Sequence, residues 1–171
     1  MKIKAMSNRT LILDHDQIDK KVNRIAHHIY ENHYKQKEIT IIGIVDRGHE
    51  LAKRISNVLA EISPLEIKLH SITIDKDKPL SDVKFSGDFT QLKGKVVVLV
   101  DDVLNSGRTL IHATRIILEH DPKILATATL VDRIHRKFPI RADYVGLTLS
   151  TNLKEHISVE LGGKKEAAYL E

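Results

Sequence analysis

Between Gln17 and Tyr30 the apolar residues Ile18, Val22, Ile25, Ala26 and Ile29 recur at spacings of three and four, which puts them on one face of a helix. Asp14 or Asp16 can cap its first turn. The pattern then changes to a short β-branched run, Ile39 to Val45, which ends in Asp46-Arg47-Gly48 and leads into a second helical pattern at Leu51, Ile55, Val58, Leu59 and Ile62. Pro64 stops that helix. Ile67, Leu69, Ile72 and Ile74 alternate with polar neighbours and predict a partly exposed strand. The charged segment that follows, Asp75 to Gln91, contains Lys76, Lys78, Pro79, Lys84 and Gly87 and is longer than an ordinary connection, so it is expected to be a mobile, functional loop.

Val96 to Val100 is apolar throughout, as a strand covered on both faces of a parallel sheet should be. A loop and a further helix follow, with Leu110, Ile111, Ala113, Thr114, Ile117 and Leu118 on its buried side and Asp121-Pro122 at its end. Ile124 to Val131, Tyr144 to Leu149 and Ile157 to Leu161 read as strands, and Gly162-Gly163 turns the chain. Strands alternating with helices predict an α/β fold with an open, mainly parallel sheet, whose ligands sit at the carboxyl ends of the strands. No repeat, low-complexity tract or interior boundary divides residues 1–171, which are read as one domain.

Composition narrows the chemistry. A chain of 171 residues, 42% hydrophobic and 29% charged, is long enough to bury a core. Its 27 Lys and Arg against 23 Asp and Glu leave a formal net charge of +4, which suits a polyanionic ligand such as a nucleotide, a diphosphate or RNA. The absence of Cys excludes disulfides, thiolate nucleophiles and Cys-ligated metals. No Trp and 4% aromatic residues argue against a stacking platform for single-stranded bases. Met1 to Leu13 has no apolar core of signal-peptide length, and no apolar run reaches the roughly 18 residues of a membrane helix. A cytoplasmic protein with no membrane partner is expected.

The stretch from Val96 to Thr109 carries the clearest chemistry. A buried strand delivers Asp101 and Asp102 to its end, where adjacent carboxylates can accept hydrogen bonds from vicinal hydroxyls and hold a hard cation such as Mg²⁺. Asn105, Ser106, Gly107, Arg108 and Thr109 then offer backbone N–H groups, two hydroxyls and the positive end of the next helix, a cradle for phosphate. Together these describe a ribose 5-phosphate site. A Walker A loop is ruled out by the absence of Gly-Lys-Ser/Thr. A phosphoacceptor receiver site fits Asn-Ser-Gly-Arg-Thr poorly, and a turn that is merely capped by two acids is the structural alternative.

The same stretch resembles the phosphoribosyl pyrophosphate (PRPP) signature of type I phosphoribosyltransferases, a hydrophobic run followed by D-D-V-x-x-T-G-x-T, with Ser106 in place of a Thr. Ile12-Leu13-Asp14, Arg24-Ile25-Ala26-His27, Gly43-Ile44, Arg47-Gly48, Leu51-Ala52-Lys53-Arg54, Leu130-Val131-Asp132-Arg133 and the run from Pro139 to Gly146 are similar to the PyrR family of pyrimidine-operon regulators and uracil phosphoribosyltransferases. The resemblance implies the type I fold, with a small hood over the base and a mobile loop. It also implies transfer of 5-phosphoribosyl from PRPP to a nucleobase, uracil first among them, with release of pyrophosphate. Asp46, Arg47 and Gly48 would hold pyrophosphate, and Arg47 with Asp101 and Asp102 would act in catalysis. The two aspartates would bind the ribose hydroxyls and position Mg²⁺, and Asn105 to Thr109 would bind the 5-phosphate. Val131, Asp132 and Arg133 would form the base-facing wall, with an Asp132–Arg133 salt bridge as the structural alternative. A homodimer or higher homo-oligomer is expected.

Two departures from the family pattern bear on activity. Where the family's mobile loop begins with Tyr-Arg-Asp, this chain has Asp75-Lys76-Asp77, so that Lys76 or Lys78 would supply the lid's charge as a point charge instead of an Arg fork. Gly146-Leu147-Thr148-Leu149-Ser150 stands in place of Gly-Lys-Asn-Ile-Pro, beside the base. These changes favour slow turnover, or the alternative of a nucleotide-sensing, RNA-binding transcriptional regulator. Lys20, Lys21, Arg24, Lys35, Lys37, Lys164 and Lys165 are its candidate basic surface. The ten His residues show no metal-ligand spacing and are read as solvated or facing a partner.

Overall fold

The computed structural model describes residues 9–171; the part of the Met1 to Leu13 stretch at positions 1–8 lies outside the described residues. β1 (Thr10–Leu13) leads into α1 (His15–His33). Asp14 caps α1 in a reciprocal box: the Gln17 N–H donates to Asp14 Oδ1 at 2.8 Å and the Asp14 N–H donates to Gln17 Oε1 at 2.9 Å. The helix runs beyond Tyr30 because His33 continues the buried stripe, accepting or donating at Nε2 to the Tyr144 hydroxyl at 3.1 Å.

β2 (Glu38–Ile44), α2 (Arg47–Ile62) and β3 (Glu66–Thr73) follow, then β4 (Lys84–Phe85), β5 (Val96–Leu104), α3 (Arg108–Leu118), β6 (Ile124–Asp132), β7 (Tyr144–Thr148), β8 (Ile157–Glu160) and β9 (Ala167–Leu170). The main sheet has the order β4-β3-β2-β5-β6-β7, parallel except for β4 at the edge. α1 and α2 cover one face through Ile18, Val22, Ile25, Leu51 and Ile55, packed on Ile39, Ile41, Val98 and Val100. α3 covers the other through Leu110, Ala113 and Ile117, on Ile42, Ile44, Val97 and Leu99. β5 is therefore apolar on both faces because both are covered. A second, antiparallel sheet of order β1-β9-β8 forms the hood.

Besides the longer α1, the structure differs from the sequence expectation at Leu118, which is exposed at the end of α3 and not on its buried side, and in three further features. The segment Asp75 to Gln91 is not a single loose loop: Lys84 and Phe85 pair with β3, residues Phe89–Leu92 form a 3₁₀ turn, and the rings of Phe85, Phe89 and His120 stack at centroid distances of 4.4 and 4.5 Å. Only its first half is without regular structure. β5 extends four residues past Val100, so Asp101 and Asp102 stand on the strand itself. β1 and β9 were not expected, being too short to show a period. No helix among the described residues is long and apolar enough to cross a membrane.

Candidate functional site

β2 passes through α2 to β3 on one side of the sheet, and β5 passes through α3 to β6 on the other. The strand order thus reverses between β2 and β5, and a crevice opens beyond their carboxyl ends. Val45 and Asp46, joined by a cis peptide, link β2 to α2 at the rim of this crevice.

Asp101 and Asp102 lie at its floor, half-buried on β5. The Asp102 N–H donates to Asp101 Oδ1 at 2.9 Å. Burial above all, and then the charge of Asp102, hold the Asp101 carboxyl well above the ordinary carboxylate range, an effect that Lys76 partly offsets. α2 approaches this floor closely. A Cβ on Gly48 would stand 2.8 Å from the Val100 carbonyl oxygen and 3.1 Å from Asp101 Oδ1, so a glycine is required where the first turn of α2 crosses β5.

Asn105, Ser106 and Gly107 turn the chain from β5 into α3. Gly107 caps α3 at a φ of 88°, and a Cβ there would meet Ile140 Cγ2 at 2.6 Å. The Ser106 hydroxyl accepts from the Arg108 N–H at 3.3 Å. Neither helix end at the crevice is closed by its N-cap residue: Asp46 makes no capping hydrogen bond to α2, and Gly107 has no side chain to offer α3, where the Ser106 hydroxyl takes up the Arg108 N–H alone. The starts of two helices, with first-turn N–H groups left over, therefore border the lobes that contain the carboxylate pair.

The crevice has two lobes that share Arg47, Lys76, Asp101 and Asp102. One lobe continues to Val45 and Asp46, and the other to Asn105 through Thr109. Lys76 is held at the entrance by a turn in which the Asp77 and Lys78 N–H groups donate to Asp75 Oδ1 at 2.8 and 3.1 Å. Lys78 itself borders neither lobe. Two hood residues do border the second lobe, His156 and Ile157, which sequence reasoning missed. His156 precedes a four-residue strand and has no local pattern to mark it.

The three wall residues separate. Val131 is fully buried in the core among residues that include Val103, so its side chain packs and only its backbone faces neighbouring strands. Asp132 is ion-paired, but with Arg136, at 2.5 Å, and not with its neighbour Arg133. Arg133 turns toward the hood, donating from Nε to Thr151 Oγ1 at 2.5 Å and from Nη2 to the Asn152 carbonyl at 2.8 Å. None of the three borders the two lobes. Arg136, four residues beyond Asp132, was also missed.

The phosphoribosyl transferase domain family matches residues 8–162 of this chain. The bifunctional protein PyrR of Clostridium kluyveri is 39% identical over 169 residues, which cover 94% of this chain and 92% of that protein. That of Fusobacterium nucleatum is 38% identical, covering 94% and 97%. Among solved structures, a hypoxanthine-guanine phosphoribosyltransferase from Bacillus anthracis superimposes with a TM-score of 0.69 at 25% identity, over 89% of this chain and 86% of that one. The hypoxanthine phosphoribosyltransferase of Trypanosoma cruzi shares the fold, with a TM-score of 0.71 at 17% identity over 83% and 82%.

Proposed function

Since the chain belongs to the phosphoribosyltransferase family and, within it, to the PyrR group, we propose that the crevice binds PRPP and transfers its 5-phosphoribosyl group to a pyrimidine base, uracil first among the candidates. The observation that carries this reading is the pair of helix ends, neither closed by its N-cap residue, beside two adjacent carboxylates. PRPP has the matching order of groups: a phosphate, a ribose with vicinal hydroxyls, and a diphosphate.

In this reading the N–H groups at the start of α3, with the Ser106 and Thr109 hydroxyls and Arg108, hold the 5-phosphate. Asp101 and Asp102 accept from the ribose hydroxyls. The start of α2, from Asp46 through Gly48, and the cations Arg47 and Lys76 neutralise the leaving pyrophosphate. Transfer needs no protein nucleophile: the bond from the anomeric carbon to pyrophosphate breaks as the bond to the base nitrogen forms, and the site's task is to hold three charged groups in line. His156 and Ile157 on the hood border the second lobe, where they would screen bound PRPP from water.

The donor set also suits magnesium. Asp101 and Asp102 are adjacent, half-buried carboxylates, and the charge of Asp102 opposes that of Asp101, which a divalent cation would relieve; no group of three or more metal-ligating side chains occurs among the described residues. That combination fits a hard cation that arrives with the diphosphate and keeps water and substrate oxygens as its other ligands. Such an ion would add positive charge at the leaving group.

Pyrophosphate release measured with PRPP, Mg²⁺ and each nucleobase tests the reading, with uracil expected to give the fastest release. Asp101→Asn combined with Asp102→Asn is expected to abolish PRPP binding in calorimetry while the circular dichroism spectrum is retained; unchanged affinity would remove the ribose assignment. The second reading, a nucleotide-sensing regulator that binds RNA, is favoured by the exposed Lys20, Lys35 and Lys37, none of them in an ion pair among the described residues. It is distinguished by PRPP or nucleotide binding without release for any base, together with filter-bound RNA whose retention falls steeply with salt.

A further inference from the structure

The connection between β6 and β7 contains an arginine bonded to three separate parts of the chain. Arg136 donates from Nε to the Ile140 carbonyl at 2.8 Å, from Nη1 to the Asn105 carbonyl at 3.2 Å and from Nη2 to Asp132 Oδ1 at 2.5 Å. The ion pair is largely shielded, with side-chain exposures of 24% for Arg136 and 15% for Asp132. Next to it, the backbone N–H groups of Lys137 and Phe138 donate to the Ser106 carbonyl at 2.9 and 3.1 Å.

These contacts determine where the loop between β5 and α3 aims its donors. The Asn105 carbonyl shares a peptide unit with the Ser106 N–H, and the Ser106 carbonyl shares one with the Gly107 N–H. Both peptides are trans, and in a trans peptide the C=O and N–H point in opposite directions. Anchoring the two carbonyls to residues 136–138 therefore turns the Ser106 and Gly107 N–H groups away from that connection, toward the lobe that Ser106 and Gly107 border. The Ser106 carbonyl has two backbone donors of its own, whereas the Asn105 carbonyl has the Arg136 guanidinium. A planar fork with five N–H groups can reach three acceptors at once; an ammonium, a point source on a flexible stem, cannot reproduce that spread.

We propose that Arg136 is the positioning residue of the 5-phosphate cradle, holding the Asn105–Gly107 loop with its N–H groups directed at the phosphate and, through Asp132, locking that loop to the end of β6. Arg136 touches no ligand in this role. The proposal rests on the reading of the crevice as a PRPP site, and it makes the two phosphate ends unequal: the pyrophosphate end is built from α2 and Arg47, which Arg136 does not contact.

Calorimetric titration of ribose 5-phosphate and, separately, of pyrophosphate, both with Mg²⁺, tests this in the wild-type chain and in Arg136→Gln and Arg136→Lys, with a thermal midpoint for each. Both variants are expected to bind ribose 5-phosphate at least tenfold more weakly and to keep pyrophosphate affinity within twofold. Arg136→Lys retains the charge and serves where Arg136→Gln does not fold; its loss should match, because the fork and not the charge is at work. Asp132→Asn should weaken ribose 5-phosphate binding in the wild-type background and add little to Arg136→Gln. Parallel losses for both ligands would mark a general structural role and overturn the proposal, as would unchanged ribose 5-phosphate affinity in a folded variant. A wild-type chain that binds neither ligand would instead overturn the site reading, and the proposal with it.

Discussion

Asp101 is harder to ionise in the folded chain than in the unfolded one, because burial and the neighbouring charge of Asp102 both oppose its anion. At a pH between the ordinary and the raised value, the folded state keeps a proton that the unfolded state has released, so stability falls as pH rises through that window. The penalty is absent below the ordinary carboxylate range and complete above the raised value. Asp101→Asn keeps an Oδ1 acceptor for the Asp102 N–H, so it is expected to stabilise the ligand-free protein by about 1 kcal/mol at pH 8. Urea unfolding at pH 8 and near pH 4 checks this, with the gain shrinking in acid. Such a cost is what the proposed role of Asp101, toward ribose hydroxyls and a cation, would carry in the ligand-free chain. At the other end of the lobe, Thr109→Ala removes one hydroxyl from a charged phosphate. A loss of about 1 to 2 kcal/mol in PRPP affinity is expected by calorimetry, with the thermal midpoint unchanged.

At the scale of elements, the loop from β5 to α3 is tied to the β6–β7 connection through the Asn105 and Ser106 carbonyls. Gly107→Ala confronts both a φ of 88° and Ile140 Cγ2 at 2.6 Å. The expected result is a destabilisation of about 2 kcal/mol in chemical denaturation, with ribose 5-phosphate binding lost and pyrophosphate binding retained. Asp101, Asp102 and the loop were legible in sequence because strand, loop and helix start lie within fourteen consecutive residues, and their chemistry is local. The segment after β3 was only half legible. Its charge predicted a loop, but the ring stack of Phe85, Phe89 and His120 joins residues from separate parts of the chain and anchors the second half. Asp132 was expected in the base-facing wall with Arg133 as its alternative partner, yet it borders neither lobe and pairs with Arg136 because the chain folds back between β6 and β7.

Across the whole molecule, the hood is fastened to the body by charges far apart in sequence. Arg54 on α2 bridges Asp19 on α1 and Glu166 before β9, and Glu166 Oε1 also accepts the Gly162 N–H at 3.0 Å. Glu166 is buried at 7% exposure, so removing the Arg54 guanidinium leaves a buried carboxylate with only the Gly162 N–H and His15 Nδ1, at 3.3 Å, as partners. Arg54→Leu is expected to cost about 3 kcal/mol in urea unfolding and, because the hood carries His156 to the crevice, to weaken PRPP binding as well. An unchanged unfolding midpoint would show that the clasp carries no net stability.

The sequence by itself determined the alternation of strands and helices, the buried character of β5, the carboxylate pair and the loop from Asn105 to Thr109 that follows it. Each depends on residues within a few positions of one another, where hydrophobic period, caps and turn chemistry act directly. Tertiary structure decided which parts meet. It placed Lys76 and Arg47 across from the aspartates, brought His156 over the loop, sent Val131 into the core and gave Asp132 to Arg136. Apart from the Asp132–Arg136 pair, which needs the chain to fold back over four residues, those outcomes follow from packing between segments distant in sequence, as does the clasp of Arg54 and Glu166, and such pairings leave no local period to read.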